Sequence, residues 1–147
     1  MTITSADWIS ILPALSILGA AFAVLLVDLF LPKDSSKSPL EIISYLGIGG
    51  ALFAMYRRLS SATTSVNGFQ GSVVLDELAI YLSLAILAAT ALLMLLSGED
   101  IRKRKINVGE YYALVLFAAA GMMLLVQSTN LIMIFLMVEL LSLAVYV

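Results

Sequence analysis

Residues 9–31 read Ile-Ser-Ile-Leu-Pro-Ala-Leu-Ser-Ile-Leu-Gly-Ala-Ala-Phe-Ala-Val-Leu-Leu-Val-Asp-Leu-Phe-Leu, with Asp28 as the one charge, and Pro32-Lys33-Asp34-Ser35-Ser36-Lys37-Ser38-Pro39 follows directly. A helix of that length rises roughly 34 Å, enough to cross a hydrocarbon core of ~30 Å. Two prolines and the charged and hydroxyl residues between them cannot continue it in lipid, so the next apolar run must turn back. The pattern then recurs. Apolar segments at 9–31, 40–59, 76–97, 111–127 and 131–147 each approach the ~20 residues of a span. They predict an all-α membrane protein, a polytopic helical bundle of about five transmembrane helices in a single domain over 1–147. The fourth reaches span length with Tyr111, Tyr112 and Gln127 at the two interfaces, where amphipathic side chains are comfortable.

Composition agrees. Apolar residues make up 62% of the chain and charged ones 12%, against about 45–50% and about 25% in soluble domains. With no cysteine and no histidine, disulfides, cysteine-ligated iron–sulfur clusters, histidine-ligated haem and the usual zinc sites are excluded. The net charge is only −2, and the basic residues sit in loops rather than on one face, which argues against a nucleic-acid partner. No basic residue precedes the first apolar run, so that run is read as a retained span and not as a secretory signal.

Loops at 32–39 and 98–110 fall on one side of the membrane and the loop at 60–75 on the other. In the latter, Asn67-Gly68 is a turn signal, Val73-Val74-Leu75 a short strand, and Asp76 a cap for the third helix. Lys33, Lys37, Arg102, Lys103, Arg104 and Lys105 share the first side, and the opposite side has only Arg57 and Arg58. The excess of Lys and Arg predicts cytoplasmic loops at 32–39 and 98–110 and an extracytoplasmic N-terminus. No internal repeat is visible. The apolar run still unfinished at Val147 predicts a polypeptide that continues.

One charge falls mid-span. Glu139 lies near the centre of the fifth segment, and a carboxylate there costs on the order of 2.5–3.5 kcal/mol on insertion scales. A carboxyl in hydrocarbon favours its neutral form and one beside a cation favours its anion, so changing surroundings can make such a group take up and release a proton. Ser142 at i+3 and Tyr146 at i+7 extend an inward polar stripe on the same helical face. The competing reading is a protonated Glu139 that only bonds a neighbouring helix. Asp28, one turn before Pro32, is read as an interfacial residue near Lys33, and Asp76 and Glu77 as helix-start residues. Glu110 either caps the fourth helix or solvates the entrance to a proton path. Gly47, Gly49, Gly50 and Ala118-Ala119-Ala120-Gly121 are read as packing positions. No phosphate loop, nucleophile elbow or metal-ligand spacing occurs.

From Gly109 the chain reads Gly109-Glu110-Tyr111-Tyr112-Ala113-Leu114, then Gly121-Met122-Met123-Leu124, Asn130-Leu131 and Val138-Glu139-Leu140-Leu141-Ser142-Leu143-Ala144. These motifs, with Val27-Asp28-Leu29-Phe30-Leu31-Pro32 earlier, resemble the subunit N family of bacterial NADH:quinone oxidoreductase, antiporter-like membrane subunits of respiratory complex I. The resemblance implies the N-terminal part of a fourteen-helix protein with two inverted five-helix repeats, multi-pass in the bacterial plasma (inner) membrane. Glu139 matches the fifth-helix glutamate of that family, which pairs with a lysine on the seventh helix, beyond Val147. It also implies a non-redox subunit of a proton-translocating enzyme, with no cofactor on this chain. NADH, FMN, iron–sulfur clusters and quinone would belong to other subunits. The implied partners are the other membrane-arm subunits, the lipid bilayer and protons. The alternatives are a multisubunit cation/proton antiporter, a membrane hydrogenase subunit, or a non-transporting helical scaffold.

Overall fold

The computed structural model describes residues 5–31, 38–60, 65–103 and 108–146. They form five helices, α1 (Ser5–Phe30), α2 (Ser38–Leu59), α3 (Glu77–Lys103), α4 (Val108–Gln127) and α5 (Leu131–Tyr146), with strands β1 (Val66–Gly68) and β2 (Val73–Leu75) between α2 and α3. The first four each contain a stretch long and apolar enough to cross a membrane. The chain is thus an all-α polytopic membrane protein. The fourth helix has span length, 20 residues, and the described part of α5 covers 16, a rise of roughly 24 Å.

Helix ends differ from hydropathy breaks. Although the apolar run stops at Ser97, α3 continues to Lys103, because polar residues outside hydrocarbon remain good helix formers. Ser97 Oγ donates to the Leu93 carbonyl at 2.6 Å, which satisfies the hydroxyl inside the helix. Residues 98–103 and 108–110 of the expected loop at 98–110 are thus helical, and residues 104–107, Arg104 and Lys105 among them, lie outside the described residues. Of the expected loop at 32–39, Ser38 and Pro39 already belong to α2, since a first-turn proline has no helical N–H to lose. Residues 32–37, Lys33 and Lys37 among them, lie outside the described residues.

Asp28 near the end of α1 meets Gly109 at the start of α4, and Gly98 toward the end of α3 meets Tyr112 near the start of α4, so α4 runs antiparallel to both; it packs against α1, α2, α3 and α5. Its buried stripe runs through Tyr112, Leu116, Ala119, Ala120, Met123 and Gln127. Between α1 and α4, the Phe22 and Phe117 rings meet edge to face with centroids 5.1 Å apart. Between α1 and α2, Gly47 lies so close to Ala20 that a Cβ would overlap it, whereas Gly49 has nothing within 4 Å. Only part of the glycine cluster read as packing thus makes a close contact.

The 60–75 segment also departs from expectation at its turn. Asn67 and Gly68 are strand residues, paired with Val74 and Val73, and the chain reverses at Phe69, Gln70 and Gly71, whose φ values are 50°, 56° and 85°. Contacts outside the hairpin override the Asn-Gly signal. Phe69 N–H donates to Asp7 Oδ1, and Gly68 presses on Ser10 where no side chain would fit. On its other flank, Thr129 N–H donates to the Ser72 carbonyl at 3.1 Å and the Thr129 hydroxyl to the Gly71 carbonyl. The hairpin ties the start of α1 to the α4–α5 junction. Val73-Val74-Leu75 is a strand as read, and Asp76 Oδ1 accepts the Ala79 N–H at 2.7 Å as the cap of α3.

Candidate functional site

The position of Glu139 is set by where α5 begins. Asn130 Oδ1 accepts the Ile132 N–H at 2.9 Å and the Asn130 carbonyl accepts the Ile134 N–H at 2.9 Å, a side-chain cap that starts the helix at Leu131. Glu139 is then the ninth of 16 residues. Across from it, Gly121 of α4 admits the α5 backbone, with the Met137 carbonyl and Leu141 N each 3.6 Å from where a Cβ would stand. That contact decides which face of α5 is left open.

No residue of α5 is buried. Glu139 lies on the open face with Phe135, Leu136 and Leu143, Ser142 is half-buried and Tyr146 is 88% exposed. By helical spacing the three polar residues share a face, and it points away from α4 rather than into the five-helix bundle. Hydrocarbon offers a carboxyl no hydrogen bond, so this face needs a polar neighbour. A carboxyl with hydroxyls one and two turns away can pass a proton to such a neighbour.

A second group of polar residues gathers where α1 and α3 end and α2 and α4 begin. Asp28 lies against Gly109 at the start of α4, and a side chain at Gly109 would overlap its carboxyl. The positive end of the α4 dipole favours an anion there. Glu110 beside it is exposed. Tyr112, 2% exposed, points its hydroxyl toward Glu41 Oε1 at 3.5 Å, and Gly98 of α3 borders the same hydroxyl. Sequence reasoning treated Asp28 as merely interfacial and passed over Glu41. The available signal was topological, because both acids and the α4 start fall on one side of the membrane.

No family model matches the chain. Among curated proteins it is similar to NADH-quinone oxidoreductase subunit N of Trichlorobacter lovleyi, 41% identical over 133 residues, which is 90% of this chain and 26% of the relative. Subunit N 2 of Koribacter versatilis is 33% identical over 99% of this chain and 30% of its own length. Subunit N 2 of Roseiflexus castenholzii is 36% identical over 100% of this chain and 29% of its own length. The chain therefore spans between 26% and 30% of the length of these relatives.

Proposed function

We propose that this chain, homologous along nearly its whole length to NADH-quinone oxidoreductase subunit N, is part of a proton-translocating subunit in the membrane arm of that enzyme complex. Glu139 is the group that takes up and releases the proton. The observation that carries this reading is a single carboxylate at the middle of an apolar helix, on the face that the other four helices leave open. Such a residue is expensive unless a partner or a hydrated path meets it. Ser142 and Tyr146 extend the hydrogen-bonding stripe on the same face.

In this reading redox chemistry takes place on other subunits, and coupling reaches Glu139 through changes in the groups that face it. The ends of α1 and α3 and the starts of α2 and α4 face the cytoplasm, following the distribution of Lys and Arg. The test is NADH-driven proton uptake in inverted membrane vesicles containing the full-length protein, wild type against Glu139→Gln, with NADH oxidation followed in parallel. Glu139→Gln keeps shape and removes titration. Fewer protons moved per NADH in fully assembled complex is the expected result; wild-type stoichiometry would reduce Glu139 to a packing residue.

A further inference from the structure

α1 and α5 both pack on α4 and make little contact with each other. The space left between them is a cavity of about 460 Å³. Its α1 wall is Ile11, Ala14, Leu15 and Leu18, a stripe at i, i+3, i+4 and i+7 that runs along the helix for roughly 10 Å. Leu124 of α4 lies behind it, and Ile132 and Met133 of α5 form the facing wall.

The two ends differ. At the hairpin end stand Phe69 and Ser72, with Asn130 at the start of α5. The buried Asp7 holds Phe69 there, its Oδ1 accepting the Phe69 N–H, and the Thr129 N–H fixes Ser72 by donating to its carbonyl. Among the described residues that line the cavity, Ser72 and Asn130 alone are polar and none is ionisable. At the other end the next side chain along the α1 stripe, Phe22, meets Phe117 of α4 edge to face.

Shape and chemistry together select an occupant. Water needs two to four polar partners and finds too few along these walls. A further membrane helix, about 10–12 Å across and ~30 Å long, exceeds a short stripe bounded by the hairpin and an aromatic pair. A hydrocarbon chain is narrow. It also lies along the bilayer normal, the direction of the stripe, because α1 is long and apolar enough to be a span. Leu15 and Ile132 are exposed at the cavity margin, so a tail enters sideways from the surrounding hydrocarbon. At the polar end the Ser72 hydroxyl donates or accepts, and Asn130, whose Oδ1 caps α5, still has its amide N–H groups to donate.

We propose that this cavity binds one acyl chain of a membrane phospholipid, with the tail against the 11–18 stripe and the ester at Ser72 and Asn130. The lipid joins α1 to α5 on a flank where the two helices scarcely touch. The site depends on neither Glu139 nor proton transfer.

The test uses the full-length polypeptide purified in detergent and irradiated with trace phosphatidylcholine that carries a diazirine near the end of one acyl chain. Labelled peptides are identified by mass spectrometry. Label should concentrate on residues 11–18 and 132–133, and unlabelled phosphatidylcholine should displace it, whereas glycerophosphocholine, a headgroup without tails, should not. Leu15→Trp and Met133→Phe fill the cavity from opposite walls. Each should lower the labelling about tenfold, as exclusion of roughly two methylenes implies. Leu12→Trp, at an exposed α1 position outside the cavity, should leave it unchanged. Two filling variants on separate helices keep the test decisive where one of them fails to fold. Labelling of 11–18 no stronger than that of the exposed Leu95 and Leu96 of α3, no loss in the filling variants, or equal loss in Leu12→Trp would overturn the proposal. Displacement by a short-chain quinone and not by phospholipid would overturn it too, and assign the cavity to that class.

Discussion

Asp28 shows how one contact changes the meaning of a residue. By its place near the end of an apolar run it is a solvated carboxylate, yet its side chain occupies space that only a glycine at 109 leaves free. Gly109→Ala should destabilise the full-length protein by about 1–3 kcal/mol, the usual cost of forcing extra volume into a packed contact. Asp28→Ala should remove most of that penalty, so the double variant is more stable than the sum of the single losses predicts. Thermal unfolding of the four proteins in detergent checks it, and simple additivity would sever the two positions. Glu139 stands at the same scale with a different logic: Glu139→Gln is expected to lower protons pumped per NADH while the amount of assembled complex stays near wild type.

Among the elements, α5 is held most lightly, since one helix is its main support and none of its residues is buried. Its seat is the small-residue surface of α4 at Gly121, where backbone and Leu140 approach to 3.6 Å of a would-be Cβ. Gly121→Leu should therefore push α5 off α4 and lower the membrane abundance of the protein severalfold. Gly49→Leu, where nothing lies within 4 Å, should leave abundance close to wild type. Quantitative blotting of membranes distinguishes the two, and equal losses would show that the Gly121 contact does not seat α5. The β-hairpin acts differently, through hydrogen bonds at its rim together with the burial of Val73 and Leu75, and so fastens ends that lipid cannot hold together.

At the scale of the whole molecule, the antiparallel helices sort the polar groups into two layers. Asp28, Glu41 and Tyr112 gather at one end, and Arg58, Ser83, Gln127 and the hairpin at the other. The proposed orientation puts the first layer on the cytoplasmic side. Single cysteines at Ser36 and Asn107 should then be shielded from an impermeant thiol reagent in intact cells, while one at Asn67, exposed on the hairpin, should react. The reverse labelling pattern would invert the topology. These 147 residues contain no cysteine, so none of them reacts beside the one introduced.

Much of this was legible in the residues themselves. Apolar run lengths and their polar breaks determine the helices, because the bilayer demands internally hydrogen-bonded spans of a set length. They also single out Glu139, since hydrocarbon makes a mid-span carboxylate conspicuous by its cost. Asp76 as a cap and Val73–Leu75 as a strand follow from local chemistry. Tertiary structure alone decided that the hairpin turns at Phe69–Gly71 instead of Asn67-Gly68 and that Asp28 meets Gly109. It alone decided which side of α5 bears Glu139. These depend on contacts between residues far apart in the chain, and local propensity yields wherever such contacts are tighter than the turn or helix end it favours.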